Sequence, residues 1–333
     1  MARIVRTDRE LEVPRVDSAL RAAGHELVLL PGGVSEDELL RELREAELLL
    51  MCYTPVTRRA IEAAARLKGI VKYGVGIDAI DIAAARSRGI PVVNVPEYAE
   101  ETVAEGAFAL LIALAKKLKP IQRAMDREGW IWPAREWLAS DLAGKTVGLV
   151  GLGRIGSSFA RMAAAFRMRV LACDPHVSQS AHADLRTDLR TMIAECDFVS
   201  VHCVLTPETR HLIGEGALCC MKPTAFLVNV SRGAIVDEMA LLRALQERRI
   251  AGAALDVFSS EPLARSGHPL SPLYAMDNVI LSPHLGFYSY EAMARLEAET
   301  LERCREVLDG RPVTVKSTDP RLCAQTRGVR FVG

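Results

Sequence analysis

The chain has 333 residues, half of them apolar and a quarter charged, with 42 basic against 42 acidic side chains. At about 100–200 residues per domain this reads as two domains with a sizeable core, and high hydrophobicity without net charge excludes a mainly disordered chain. Zero net charge and the lack of any basic run argue against nucleic acid as a partner.

Strand-like and helix-like segments alternate along the chain. The first block reads as strands Arg3–Thr7, Glu26–Leu30, Leu48–Cys52, Ile70–Tyr73 and Pro91–Val93, with helices Arg15–Ala23, Glu36–Ala46, Arg58–Leu67 and Ile80–Arg88 between them. Such alternation predicts a small doubly wound parallel sheet of the α/β class. After Val95-Pro96 the rhythm breaks. An apolar-rich helix is expected from Glu100 to Lys119, stopped by Pro120, with further helix up to Gly129. Alternation restarts with strands Thr146–Val150, Met168–Cys173, Phe198–His202, Ala225–Val230, Ala251–Leu255 and Val279–Ser282, a second and larger sheet. A last helix, Tyr290–Leu308, leads into a tail with weak strand signal, whose Arg321, Arg327 and Arg330 read as solvated or docked on the first domain. If that helix brings the chain back, residues 1–99 and 289–333 form one domain and 100–288 a second one inserted into it, with two long helices as a double hinge.

The longest apolar stretch, Phe108 to Ala115, falls short of the ~18 residues a membrane span needs, and the charged start Met1-Ala2-Arg3 lacks a secretory pattern. The eight cysteines, at 52, 173, 196, 203, 219, 220, 304 and 323, include no Cys-x-x-Cys pair and read as reduced thiols of a cytoplasmic protein. No His/Cys spacing points to a metal.

Two glycine turns fit G-x-G-x-x-G/A: Gly74-Val75-Gly76-Ile77-Asp78-Ala79 and Gly151-Leu152-Gly153-Arg154-Ile155-Gly156. A dinucleotide site needs a strand, a tight turn, a helix N-terminus aimed at the pyrophosphate, and an acid about 20 residues on. The second turn has all four, following Thr146–Val150, opening the helix Arg154–Phe166 and preceding a strand that ends at Asp174. The first puts Asp78 at its helix start, where it would repel phosphate. Asp174 accepts hydrogen bonds from a ribose diol and repels a 2′-phosphate, which predicts NAD over NADP.

Chemistry on a carbonyl needs a cation, an acid–base group and something to tune that group. Three strand exits of the second sheet offer them: Arg232 after Ala225–Val230, Asp256 and Glu261 after Ala251–Leu255, and His284 after Val279–Ser282. Each has a plain alternative as a surface cation, a loop acid or a turn histidine. Their succession beside a dinucleotide turn is harder to call chance.

The segments Val150-Gly-Leu-Gly-Arg-Ile-Gly156, Asn229-Val-Ser-Arg-Gly233, Asp256-Val-Phe-Ser-Ser-Glu-Pro262 and Ser282-Pro-His-Leu-Gly286 resemble the D-isomer-specific 2-hydroxyacid dehydrogenase family in order and separation. The resemblance covers nearly the whole chain. It implies a Rossmann NAD-binding domain inserted into a smaller flavodoxin-like substrate domain, and a homodimer formed through the NAD domain. It implies Arg232, Glu261 and His284 as the catalytic set, for hydride transfer between NADH and C2 of a small 2-oxo acid, with His284 as acid/base, Glu261 on its other ring nitrogen, and Arg232 on carboxylate and carbonyl. By resemblance, Thr102, Cys203, Thr209, Val230, Ser231 and Asp256 line the cofactor, Asp256 near the nicotinamide carboxamide. Gly74, Val75 and Gly76 would take the substrate carboxylate on their amides, with Tyr53 and Phe287 beside the substrate.

Substrate choice is read less sharply. Asn94–Thr102 and His284–Ser289 resemble the branch of the C-terminal-binding corepressors more than phosphoglycerate dehydrogenases. Aromatic Tyr53, Phe287 and Tyr288 favour a compact or apolar 2-oxo acid over a phosphorylated one. The rival of a different class is an NADH-sensing interaction protein that keeps the fold and acts through partners.

Overall fold

The computed structural model describes residues 1–332, which form two compact units: Met1–Ala99 with the segment from Ser289 on, and Glu100–Tyr288. The first unit begins as β1 (Arg3–Arg6), α1 (Pro14–Ala22), β2 (Glu26–Leu29), α2 (Glu36–Leu43), β3 (Leu48–Met51), α3 (Arg58–Ala63), β4 (Gly69–Lys72), α4 (Ile82–Ser87) and β5 (Val92–Asn94). Its strands pair in parallel in the order β2-β1-β3-β4-β5, the flavodoxin-like arrangement. With helices on both faces, every residue of β3 and β4 is buried, which is why they read as unbroken apolar runs. Ser35, Thr57 and Asp81 cap α2, α3 and α4 by accepting the N–H groups of Glu38, Ala60 and Ala84.

The second unit runs α5 (Glu100–Ala115), α6 (Leu118–Glu128), β6 (Thr146–Val150), α7 (Arg154–Ala165), β7 (Arg169–Cys173), β8 (Asp184–Leu185), α8 (Leu189–Glu195), β9 (Phe198–Val201), α9 (Glu215–Leu218), β10 (Phe226–Asn229), α10 (Glu238–Gln246), β11 (Gly252–Leu255) and β12 (Val279–Leu281). Seven parallel strands lie in the order β12-β11-β10-β9-β6-β7-β8, a Rossmann sheet whose order reverses between β6 and β9. Successive strand residues feed opposite faces. Leu227 belongs to the core cluster that includes Leu241 and Leu245 of α10, and Val228 to the one that includes Phe108 of α5 and Phe159 of α7.

The helix expected to run to Lys119 and stop at Pro120 instead ends at Ala115, and Lys117 turns the chain with φ +53°. Pro120 sits in the first turn of α6, where the N–H it lacks has no helical partner to lose.

The chain returns through α11 (Tyr290–Leu308), capped by Ser289 and packed on α1 and β4, then β13 (Val313–Val315), α12 (Pro320–Cys323) and β14 (Val329–Phe331). The tail is therefore more ordered than its sequence implies, since three-residue strands are too short for a period-two signal to emerge. Gln325 bonds both the N–H and the C=O of Val92, and Glu306 accepts the Thr314 N–H and hydroxyl. Arg321 reaches Asp78, Arg330 reaches Glu306, and the Arg327 side chain lies against Gly89, so all three dock on the first unit. No helix among the described residues is long and apolar enough to cross a membrane.

Candidate active site

The turn between β6 and α7 lies at the point where the strand order reverses. Gly151 has φ +97°, and a Cβ there would meet Cys203 N at 2.5 Å; a Cβ on Gly156 would meet Gly151 O at 2.5 Å. Both positions thus require glycine, one for its conformation and both for close backbone approach. Gly153 is exposed with open space around it and caps α7 without a side chain. The first N–H groups of α7, at Arg154, Ile155 and Gly156, point out of that N-terminus, an arrangement that fits a pyrophosphate. Asp174, just past β7, accepts the Leu152 N–H at 2.8 Å and the His176 N–H at 2.9 Å, one on each oxygen. Its remaining lone pairs are available to a ribose diol. Burial pushes the neighbouring Cys203 thiol up to about 12.

Arg232, Glu261 and His284 follow β10, β11 and β12, three adjacent strands. His284 Nδ1 and Glu261 Oε2 are 2.8 Å apart, and Glu261 Oε1 accepts the Phe258 N–H at 2.8 Å. Burial acts to raise the Glu261 carboxyl, but the His284 hydrogen bond and charge, the Phe258 N–H and the Arg232 charge outweigh it and hold it below the ordinary carboxylate value. The Arg232 turn is shaped by buried Asn229, which accepts the Ser231 N–H at 3.1 Å and donates to Arg232 O at 2.9 Å. The Ser231 hydroxyl donates to Cys203 O, which links this turn to the loop after β9, the segment that Gly151 approaches closely.

His284 adopts φ +58°, a left-handed conformation that costs a non-glycine residue about 1 kcal/mol or more. Asp256, buried, holds it there: its two oxygens accept the N–H groups of Leu285 at 3.0 Å and Gly286 at 2.9 Å. Phe287 is buried and meets the His284 ring edge-on, centroids 6.2 Å apart.

Other candidates are placed less pointedly. Thr102 lies in the first turn of α5, Val230 is buried at the end of β10, and the Thr209 hydroxyl accepts the Thr206 N–H and donates to Val204 O within its own loop. A cavity of about 430 Å³ lined by Asp188, Arg190, His211 and Gly214 contains none of the candidate residues.

In the first unit, the Gly74–Val75–Gly76 turn follows β4, and Asn94 donates to Val75 O at 2.6 Å. Two residues without a sequence-assigned role organise this region. Asp8, with φ +56°, accepts the N–H groups of Cys52, Tyr53 and Thr54 and the hydroxyls of Thr7 and Thr54. Burial acts to raise its carboxyl, and these donors prevail and lower it. Lys72, a basic residue directly beside the turn, is buried against Cys52 and Tyr53. Neither has a local signature, because their partners come from other strands.

A strand–turn–helix site with an acid at the end of the next strand, and an arginine beside a carboxylate–imidazole pair on the same Rossmann sheet, define a two-unit, dinucleotide-binding α/β protein. Residues 108–286 match the model of the D-isomer specific 2-hydroxyacid dehydrogenase NAD binding domain. The chain is 41% identical over 276 residues to a glyoxylate reductase of Korarchaeum cryptofilum, covering 80% of this chain and 82% of that protein. It is 40% identical over 294 residues to a D-3-phosphoglycerate dehydrogenase of Synechocystis, covering 87% of this chain and 52% of that one. A D-lactate dehydrogenase from Aquifex aeolicus, solved with NAD and lactic acid, is similar at a TM-score of 0.82 and 32% identity, over 92% of this chain and 96% of that one. The chain belongs to the D-isomer specific 2-hydroxyacid dehydrogenase family, and its second unit is that family's NAD-binding domain. It spans about half the length of the phosphoglycerate dehydrogenases it matches.

Proposed function

We propose that the chain is an NAD-dependent reductase of small 2-oxo acids, working in reverse as a D-2-hydroxyacid dehydrogenase, with Arg232, Glu261 and His284 as its catalytic set. The observation that carries this reading is the 2.8 Å pairing of His284 Nδ1 with Glu261 Oε2 beside the Arg232 loop. Bound NADH supplies a hydride to C2 of the substrate. Glu261, held ionised, keeps a proton on Nδ1 and balances the imidazolium, so that Nε2 can give its proton to the carbonyl oxygen. Arg232, always cationic, forks onto carboxylate and carbonyl together. In the reverse direction His284 takes the hydroxyl proton. The amides of the Gly74–Val75–Gly76 turn are the proposed holders of the substrate carboxylate, with Tyr53 in the same unit. Asp174 makes NAD the preferred cofactor over NADP.

We further propose a cytoplasmic homodimer. Its eight cysteines are free thiols, which suits a reducing compartment. Trp130 and Trp132, 73% and 77% exposed with ring centroids 6.4 Å apart, present apolar surface on the second unit that a second copy would cover. Analytical ultracentrifugation tests this.

NADH oxidation with a panel of 2-oxo acids, including glyoxylate, hydroxypyruvate and a phosphorylated member, tests the activity. The phosphorylated substrate belongs in the panel because Lys72 supplies a cation beside the Gly74 turn. Turnover with one or more members is expected. Turnover with none would instead favour an NADH-sensing interaction protein.

A further inference from the structure

Cys52 and Lys72 form a buried pair in the first unit that takes no part in the proposed proton and hydride transfer. Lys72 is 5% exposed, and its Nζ donates to Cys52 O at 2.7 Å while lying 3.0 Å from Cys52 Sγ. The Tyr53 ring sits over the ammonium, 5.4 Å to its centroid. Both ends are fixed: Lys72 pairs with Met51 across β3 and β4, and the Cys52 N–H is held by Asp8 at 2.9 Å. A thiol and a primary amine are therefore already at bonding approach without movement of the backbone. The other thiols with known neighbours differ. Cys196 donates to Met192 O, and Cys219 faces the Arg249 guanidinium, which stays protonated and is no nucleophile.

We propose that Cys52 and Lys72 form an oxidation-dependent covalent crosslink, a sulfenamide, with hydrogen peroxide as the oxidant. In the first step the sulfur takes one oxygen from peroxide. The O–O bond breaks, an S–O bond forms, sulfur gives up two electrons, and water leaves, giving a sulfenic acid. In the second step the Lys72 ammonium releases a proton to solvent and its lone pair attacks sulfur. The S–N bond forms, the S–O bond breaks, and the hydroxyl leaves as water with a second nitrogen proton. One thiol, one amine and one peroxide thus become one sulfenamide and two waters. Burial pushes the Cys52 thiol up, with the Lys72 charge and hydrogen bond acting against it, so the reaction needs excess peroxide rather than running as at an exposed thiolate.

The crosslink would remove the positive charge beneath the Gly74 turn, where a Cβ on Gly74 would meet Lys72 Nζ at 2.9 Å. This consequence rests on the proposed role of that turn in holding the substrate carboxylate. The oxidised protein is then expected to show a KM for its 2-oxo acid raised by roughly tenfold, with NADH affinity unchanged.

The test uses the full chain, treated with excess peroxide, quenched and mapped by peptide mass spectrometry. Expected is a Cys52 peptide joined to the Lys72 peptide, two hydrogens lighter than their sum, uncut by trypsin after Lys72 and separated by dithiothreitol. Lys72→Arg keeps the charge without a nucleophilic amine and should stop at sulfenic or sulfinic acid on Cys52; Cys52→Ser should give neither product. A wild-type Cys52 found only as sulfinic acid, as a disulfide, or unmodified while other thiols oxidise overturns the proposal. A crosslink that forms without raising KM leaves the proposal standing and removes the substrate role of the Gly74 turn.

Discussion

Gly233 and Phe258 approach so closely that a Cβ on the glycine would overlap the Phe258 carbonyl carbon and the Ser259 nitrogen. This contact fastens the loop bearing Arg232 to the loop bearing Glu261, backbone against backbone. Gly233→Ala must push the two loops apart, at a cost of about 1–3 kcal/mol for overpacking. A lowered Tm and a reduced kcat/KM are expected together, and a variant with both at wild-type values would show that the contact is not needed.

Removal of the proposed acid–base group should separate chemistry from binding. His284→Ala is expected to lose ~10²–10⁴ in turnover, with little change in NADH affinity measured by fluorescence titration. Near-normal turnover would end the assignment of His284.

Glu261→Gln keeps a hydrogen-bond acceptor for the ring but removes the charge that favours the imidazolium. The wild-type carboxyl, held below its ordinary value, stays ionised throughout the neutral range. Turnover in 2-oxo acid reduction should therefore fall in the variant, with NADH affinity unchanged. Turnover at the wild-type level would reduce Glu261 to a steric support.

In the proposed reading Asp174 has two tasks that a single substitution can divide. Its oxygens hold the Leu152 and His176 N–H groups, and its charge opposes a 2′-phosphate. Asp174→Asn retains one carbonyl acceptor while removing the charge. The ratio of kcat/KM for NADH over NADPH should fall in this variant, and a wild-type protein that prefers NADPH would contradict the reading outright.

His202, next to Cys203, makes stability depend on pH. Burial lowers its imidazole to about 3, with Nε2 2.9 Å from Ser200 Oγ and the ring 5.1 Å from Phe159. An unfolded chain binds a proton at the ordinary histidine value, near 6.5, that the folded chain refuses. The stabilisation is therefore full above that value and declines as pH falls toward 3, by at most roughly 5 kcal/mol. Thermal unfolding between about pH 7 and about pH 5 should show a steeper loss of Tm for wild type than for His202→Gln. Equal slopes would place the acid sensitivity elsewhere.

The sequence carried some of these parts openly and hid others. Gly151, Gly153, Gly156 and Asp174 were legible because a strand, a turn and a helix N-terminus are contiguous in the chain. Arg232, Glu261 and His284 were legible as candidates because each stands in the polar segment that follows an apolar strand. The grip of Asp256 on Leu285 and Gly286 was not, since it exists only because β11 and β12 are neighbours. Asp8 escaped for the same reason: its acceptors serve Cys52 to Thr54 across the sheet. Pro120 misled because proline ends a helix when it stands inside one and begins a helix when it stands in the first turn. Lys72 has no local signature either, because its burial comes from Cys52 and Tyr53 beyond the neighbouring strand.

The first unit draws its covering helix from the far end of the chain. α11 packs on α1 and β4, and buried Glu297 accepts the Arg15 N–H at 2.8 Å. During synthesis, β1 to β5 leave the ribosome long before that helix does, whereas the NAD-binding unit emerges as one uninterrupted stretch. The later-made unit can thus complete its core first, while the earlier-made sheet keeps an apolar surface uncovered until α11 arrives. In a growing cell, that interval is when a chaperone would find most to hold.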